Sequence, residues 1–306
     1  MSANLRGAIL MVLAMVGFAV EDALFKSATS TVSPGLGTLI FGLCGFALYA
    51  ALVRRAGLPV WTAEYLSRTM IVRTAFEVTG RLFFALALAF APLSVTSAIL
   101  QAAPLVVTLG AALVLGERVG PRRWIAMGIG FLGVLLILRP GPDGIELSAL
   151  FAVIAMIGFA GRDVATRASP PSISATQLGI PGFASVTLAG LLILAFETGA
   201  REVPDARAIL LLLATALAGV AAYSGLTQAM RTGEVSVVAP FRYARLLAAL
   251  ILAYIVFGER PDALMFAGAA LIVGSGLYTL WRSGRPSGQA PRAAVPARPD
   301  HKDHAP

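Results

Sequence analysis

Long apolar runs separated by short polar breaks dominate this chain. The runs can be drawn at about 7–26, 34–52, 69–90, 94–115, 122–139, 147–166, 175–197, 207–229, 235–257 and 263–282. Each run is close to the roughly 17 to 25 residues that a helix needs to cross a bilayer. The breaks are rich in Pro, Gly, Ser and Asp, as at residues 139–144, RPGPDG, which is typical of turns. The pattern predicts an all-α integral membrane protein with ten transmembrane helices.

Composition supports this interpretation and narrows the chemistry. Apolar residues make up 58% of the 306 residues and charged residues 13%, about half the charged share of soluble proteins. Cys44 is the one cysteine, and His301 and His304 lie in the last six residues. A disulfide framework, a thiolate metal site and histidine-based catalysis are therefore not expected, and we predict no metal and no cofactor. Because Lys26 and Lys302 are the only lysines and neither lies in a P-loop motif, ATP hydrolysis is not expected either.

The net charge of +8 indicates orientation rather than nucleic-acid binding. Most of the basic residues lie in loops and a tail instead of on one face interleaved with aromatic residues, so no nucleic-acid partner is expected. If the amino terminus is cytoplasmic, inside loops hold eleven arginines and outside loops five basic residues. The positive-inside rule then predicts that both termini are cytoplasmic. Residues 283–306, rich in Pro, Ala and Arg, are expected to form a disordered cytoplasmic tail.

The chain contains an internal repeat. Residues 14–19, AMVGFA, recur 141 residues later as AMIGFA, and residues 115–118, LGER, recur 142 residues later as FGER. Two matches at nearly one offset predict two five-helix halves, at 7–139 and 147–282. Because five is odd, the second half must enter the membrane in the opposite orientation. Inverted halves of this kind can rock about a site near the middle of the bilayer.

These features resemble the EamA branch of the drug/metabolite transporter superfamily. In each half an apolar fourth helix ends at Gly-Glu, at 116–117 and 258–259, before a glycine-rich fifth helix. Residues 239–246, APFRYARL, leading to FGERPD at 257–262, are similar to the bacterial subgroup that includes riboflavin uptake proteins. The resemblance implies two inverted EamA repeats in a bacterial inner membrane. It also implies a secondary carrier for amino acids, nucleotide-sugar-like or vitamin-like solutes, in either direction.

Several charged residues fall inside the predicted helices, where each costs about 2.5 to 3.5 kcal/mol at the bilayer centre. The third helix carries Arg73, Glu77 and Arg81 at intervals of four, so they share one face and should point into the bundle. They are expected either to contact substrate or to neutralise one another as an ion-pair ladder. Arg73 could instead extend to the cytoplasmic interface.

The ninth helix carries the main candidates for substrate binding. Arg242, Tyr243 and Arg245 follow Pro240, which can kink the helix near the site. The two arginines suit a carboxylate, phosphate or carbonyl group, and a solute ring could stack on Tyr243. Alternatively, the arginines pair with Glu21, Asp22 or Glu77. Two further candidates, Gln101 and Tyr223, could bind substrate or form hydrogen bonds between helices.

Four charged residues are candidates for gating or coupling. Glu21 and Asp22 in the first helix match Arg162 and Asp163 in the sixth. Since the halves are inverted, ion pairs could form alternately near the two membrane faces. A desolvated Glu21 or Glu77 could also bind protons and couple them to transport.

The sequence thus predicts a secondary, ATP-independent transporter of a small polar or aromatic metabolite, working by alternating access. Its expected partners are the solute and the lipid bilayer. The glycine-rich helices are expected either to let backbones pack closely or to form contacts with a second copy in a homodimer. One alternative is a membrane enzyme acting on a lipid substrate, with Glu77 or Asp22 as base and the arginines binding phosphate, but it lacks a convincing nucleophile. A channel or scaffold is a second alternative, although neither needs an inverted repeat.

Overall fold

The computed structural model describes residues 2–114, 120–139, 146–167, 170, 172–174, 176–198, 203–232 and 238–283. The first copy of the Gly-Glu-Arg motif and all but the first residue of the predicted tail lie outside these ranges. The helices are α1 Ala3–Ala28, α2 Pro34–Arg55, α3 Arg68–Phe90, α4 Leu93–Leu100, α5 Ala103–Val114, α6 Pro121–Leu138, α7 Leu147–Arg167, α8 Gly179–Phe196, α9 Ala206–Thr232, α10 Ala244–Phe257 and α11 Ala263–Ser283. Short 3-10 turns lie at Ala63–Leu66 and Ala239–Tyr243.

These elements confirm the predicted all-α membrane fold. Within the described ranges, six helical spans are long and apolar enough to cross a membrane. Helix α3 has sufficient length but carries Arg73, Glu77 and Arg81. Helices α4 and α5 together form one predicted span, interrupted at residues 101–102. The 3-10 turn Ala239–Tyr243 leads into α10 in the same way, so the described elements account for all ten predicted spans.

The packing of the helices follows the internal repeat. Helix α1 packs along α9 as α7 packs along α3, while α2 pairs with α8 and α6 with α11. At the closest approaches, a Cβ atom on Gly17 would lie 3.1 Å from the Cβ of Ala222, and one on Gly158 would lie 2.6 Å from the Gly80 nitrogen. These two contacts are repeat equivalents, 141 and 142 residues apart. The two halves are therefore related by an approximate two-fold axis.

Glycines allow α6 and α11 to touch backbone to backbone. A Cβ atom on Gly133 would lie 2.6 Å from the Gly268 carbonyl oxygen, and a Cβ atom on Gly268 would lie 2.6 Å from that of Gly133. By contrast, a Cβ atom on Gly128 or Gly274 would meet nothing within 4 Å. Part of the glycine pattern thus serves contacts within the chain, and a homodimer through these helices stays a prediction.

Carboxylates join helix ends across the bundle at one end. We call this the distal end; it is formed by the α1–α2, α3–α4, α8–α9 and α10–α11 connections. Glu259, just after α10, accepts hydrogen bonds from the backbone nitrogens of Leu93 and Ser94 at 2.7 and 3.0 Å and from the Ser94 hydroxyl at 2.6 Å. Glu197, after α8, accepts one from the Gly35 nitrogen at 2.8 Å. Each carboxylate satisfies amides that the start of a helix leaves free.

Basic side chains close the same end. The Lys26 ammonium donates to the carbonyl oxygens of Leu88 and Ala91 at 3.0 and 2.6 Å, which ties the end of α1 to the end of α3. Arg139, after α6, pairs with Asp262 before α11. Its hydrogen bond lowers the pKa of the exposed Asp262 carboxyl. Glu259 of the second Gly-Glu-Arg motif and Asp262, three residues later, therefore both contact the first half of the chain.

Candidate functional site

Nine of the twelve predicted site residues meet in one interior cluster, which we call the charged network. It contains Glu21 and Asp22 of α1, Arg73, Glu77 and Arg81 of α3, Arg162 and Asp163 of α7, Arg242 of the 3-10 turn and Arg245 of α10. Its members come from both halves of the chain. Arg73, Glu77 and Arg81 point into the bundle, as their spacing predicts, because α3 packs along α7.

Glu77 lies at the centre of the network and is only 1% exposed. Its carboxylate lies 2.9 Å from Arg73, 3.1 Å from Arg162 and 3.6 Å from Arg81. Arg73 also donates to the Thr166 hydroxyl at 3.0 Å. The ion-pair ladder that the α3 spacing left open is therefore present, and Arg73 is buried rather than extended to an interface. Contact of these residues with substrate stays a prediction.

Asp22 and Arg245 form a second, tightly matched pair. Two guanidinium nitrogens of Arg245 contact the Asp22 carboxylate at distances of 2.7, 2.9 and 3.1 Å. The guanidinium also lies 5.1 Å from the ring centre of Phe18 and 5.5 Å from that of Phe84. Forked hydrogen bonds and cation–π contacts both fix a guanidinium in place. Arg245 is thus paired with Asp22, in agreement with the alternative hypothesis that the arginines pair with acidic residues of the bundle.

Phenylalanines in the repeated motif support the arginines, a role that the charged positions in the sequence do not indicate. Phe159 lies 5.5 Å from Arg81 and 5.1 Å from Arg162, measured to the ring centre. Its repeat equivalent is Phe18, which contacts Arg245. The signal was present in the sequence, since both rings belong to the repeated Gly-Phe-Ala string. Each copy of the motif therefore places one ring against partly buried arginines of the network.

Arg242 has the weakest pairing of the five arginines. Its side chain is 37% exposed, and the nearest carboxylate oxygen, on Asp163, lies 4.0 Å away. Asp163 is meanwhile held by Arg162 at 2.7 Å. Gln101 donates to the Arg242 carbonyl oxygen at 3.4 Å, which joins α4 to the 3-10 turn. The Arg242 guanidinium is therefore the donor in the network that is most accessible to a solute.

The two candidate tyrosines lie in different surroundings. Tyr243 is buried against α11, where its hydroxyl occupies the space that a side chain on Gly276 would need. Tyr223 packs edge to face on Tyr49 with ring centres 5.8 Å apart. Glu77 is among the charged groups that interact with the Tyr223 hydroxyl. Tyr223 thus borders the charged network, whereas Tyr243 is directed toward α11.

A cavity opens beside the network between α1, α2, α3 and α8. Its charged wall is formed by Glu21, Asp22 and Arg81, and rings of Phe25, Phe41 and Phe84 form much of the rest. Charged groups and aromatic rings thus face the same space, which in this conformation has room for about one water molecule and would have to widen to admit a solute. No group of residues suited to hold a metal ion occurs in the described part of the chain.

Comparison with known proteins identifies the family. A sequence profile of the EamA-like transporter family matches residues 5–139 and again residues 146–281. The chain belongs to the EamA-like transporter family. The family resemblance seen in the sequence is thereby confirmed, and this EamA chain is a multi-pass membrane protein.

Curated relatives of this EamA chain are named as transporters. It is 31% identical over 281 residues to the riboflavin transporter of Rhizobium johnstonii, and the match covers 90% of each chain. It is 23% identical to the S-adenosylmethionine uptake transporter of Rickettsia conorii, over 87% of this chain and 92% of the relative. A solved crystal structure superposes with a TM-score of 0.59 at 23% identity and covers 90% of this chain and 94% of its own, which supports the fold. The EamA protein is thus a membrane transporter of small metabolites.

Proposed function

We propose that this EamA transporter carries a riboflavin-like vitamin across the bacterial inner membrane without ATP, by alternating access. The observation that carries the proposal is the 31% identity, over nine-tenths of both chains, to a protein named riboflavin transporter. The site chemistry agrees with it, because a flavin combines a flat ring with carbonyl and hydroxyl oxygens. An amino-acid-type solute is the second candidate, favoured by the similarity to S-adenosylmethionine uptake transporters.

In this proposal the residues of the network have different roles. Arg242 donates hydrogen bonds to solute oxygens, since its guanidinium is the most exposed of the five. Arg81, Arg162 and Glu77 border the path of the solute, while Arg73 and Arg245 hold the network in place. Gln101 and Tyr223 complete the wall around this region.

The gate lies at the repeat-equivalent charged pairs. Glu21 and Asp22 in α1, and Arg162 and Asp163 in α7, occupy matching positions in inverted halves. Rocking of the halves exchanges their partners near the two membrane faces. The excess of arginines in alternate loops orients both termini toward the cytoplasm.

Counterflow in liposomes tests the assignment. Purified protein is reconstituted with internal riboflavin, and entry of labelled riboflavin is followed with and without solute on the far side. We expect acceleration by internal riboflavin, and recovery of unmodified riboflavin from the liposomes. Entry no faster than into empty liposomes would overturn the riboflavin assignment, and a chemically altered product would favour the membrane enzyme.

The role of Arg242 is tested by comparing two arginine variants. Arg242→Ala removes hydrogen bonds to a charged donor, each worth about 1.5 to 3 kcal/mol, so we expect the KM for riboflavin to rise about ten- to hundredfold. Arg207→Ala is the matched control, because Arg207 is exposed at the start of α9. Equal KM values for the two variants would remove Arg242 from the binding site.

A further inference from the structure

The two halves differ at one buried charged pair. Glu77 in α3 and Gly219 in α9 are repeat equivalents, as are Arg162 in α7 and Glu21 in α1. At one contact between the halves, Glu77 and Arg162 form an ion pair at 3.1 Å. At the repeat-equivalent contact between the halves, Gly219 faces Glu21 so closely that a Cβ atom there would lie 3.1 Å from the Glu21 Oε2 atom. The side chain that would partner Glu21 by symmetry is therefore missing.

Glu21 finds little compensation elsewhere. Its side chain is 4% exposed, and its Oε2 atom accepts no hydrogen bond from the described residues. Its Oε1 atom lies 3.8 Å from Arg81, beyond hydrogen-bond distance, and Arg81 is shared with Glu77 at 3.6 Å. A buried carboxylate that lacks donors is costly when ionised.

The remaining neighbours of Glu21 do not supply a positive charge. Asp22, on the same helix, is itself acidic, and it already engages Arg245 of α10 through both carboxylate oxygens. Helix α9 presents the backbone of Gly219. Helices α2 and α8 contribute uncharged cavity-lining residues such as Phe41. Among the charged groups that face Glu21 in the described structure, Arg81 is thus the one cation not committed to Asp22.

We propose that Glu21 binds a proton and that this proton moves together with the solute. The inference rests on the proposed transport function and adds the coupling ion to it. Protonation removes the uncompensated charge, and a neutral carboxylic acid gains an O–H donor. Because Glu21 lines the cavity, that donor can bond a solute oxygen. Proton and solute therefore favour each other's binding, and release of the solute on the other side is accompanied by release of the proton.

A pH gradient across liposomes tests the coupling. For one proton per solute, an inward gradient of one pH unit can drive about tenfold accumulation of riboflavin. We expect the wild-type protein to accumulate riboflavin under this gradient. Glu21→Gln should lose accumulation while a slower counterflow remains, because glutamine keeps the shape and a donor but cannot release a proton. Glu21→Asp keeps a titratable group and should restore accumulation.

The matched control is Glu64→Gln, since Glu64 is exposed in the short turn before α3. This variant should accumulate riboflavin like the wild type. Accumulation by Glu21→Gln equal to that of the wild type, or wild-type transport that ignores the gradient, would overturn the proposal. Counterflow by Glu21→Gln shows that the variant is folded and inserted.

An infrared measurement without solute separates this proposal from the transport assignment. Difference spectra between acidic and alkaline pH should show a protonated carboxyl band in the wild type and in Glu64→Gln that is missing in Glu21→Gln. If riboflavin does not move but the Glu21 band titrates, the solute assignment fails and the proton site stands. Identical spectra for Glu21→Gln and the wild type would refute the proton site.

Discussion

At the scale of single residues, the arginines of the charged network differ in how firmly the protein holds them. Arg245 is held by the Asp22 carboxylate and by two rings, whereas Arg242 lies 4.0 Å from its nearest acid. Breaking a buried pair leaves an uncompensated charge, which costs more than the pair itself contributes. Arg245 therefore matters for stability, and Arg242 keeps donors for a ligand.

The first prediction concerns Asp22→Asn. The substitution leaves the Arg245 guanidinium without a counter-charge, so we expect the free energy of unfolding to fall by about 3 kcal/mol. Thermal unfolding in nanodiscs measures the effect. Asp262→Asn is the matched control: its ion pair with Arg139 is exposed, and asparagine can still cap the start of α11. A similar fall in melting temperature for both variants would contradict the prediction.

The sequence predicted which charges lie inside but not how they pair. The spacing of Arg73, Glu77 and Arg81 places them on one face, because helix periodicity fixes their direction. Arg245 pairs with Asp22 and not with Glu21 because of the relative position of α1 and α10. The local sequence pattern carries no information about that position. The repeated Gly-Phe-Ala string marks Phe159 as a notable position, but its contacts with Arg81 and Arg162 depend on how α7 packs against α3.

At the scale of elements, close contacts between repeat-equivalent helices define the bundle. Gly133 and Gly268 bring the backbones of α6 and α11 together. The sequence predicted the glycine-rich helices but left open whether they face a partner copy or each other. It also did not predict the interruption between α4 and α5, although Gln101 and Pro104 lie at that point of the fourth predicted span.

The second prediction compares two glycines of the same helix. A methyl group at residue 268 would lie 2.6 Å from a carbonyl oxygen of α6, so Gly268→Ala should destabilise the fold by about 1 to 3 kcal/mol. Gly274→Ala meets no atom within 4 Å and should be neutral or stabilise α11 by up to about 1 kcal/mol. Thermal unfolding of both variants provides the comparison. Equal destabilisation would show that helix propensity, not the contact with α6, decides the outcome.

At the scale of the whole molecule, the two halves reproduce one packing scheme in opposite orientations. The sequence contained enough information for this, since a repeat of five spans inverts the second copy whatever the details of packing. The direction of the whole molecule in the bilayer is a separate matter, because both orientations preserve all internal contacts. Only the distribution of basic loop residues bears on it.

The third prediction tests this orientation by cysteine labelling. In a Cys44→Ala background, a membrane-impermeant thiol reagent should label Ser30→Cys in intact cells. It should label Ala56→Cys only after permeabilisation, because the α1–α2 turn is predicted outside and the α2–α3 loop inside. Both positions are exposed in the structure. The reverse labelling pattern would place the termini outside the cytoplasm.

Glu77 pairs with Arg162, whereas at the repeat-equivalent contact Glu21 faces only the backbone of Gly219. This difference has an energetic consequence for the transport cycle. If the halves were identical, a two-fold rotation would relate the inward-facing form to the outward-facing form, and the two would have equal free energy. Here one form keeps an ion pair that its counterpart cannot rebuild with the equivalent residues. Without solute, the transporter should therefore open mainly toward one side of the membrane, and the inward and outward steps of its cycle should differ in rate.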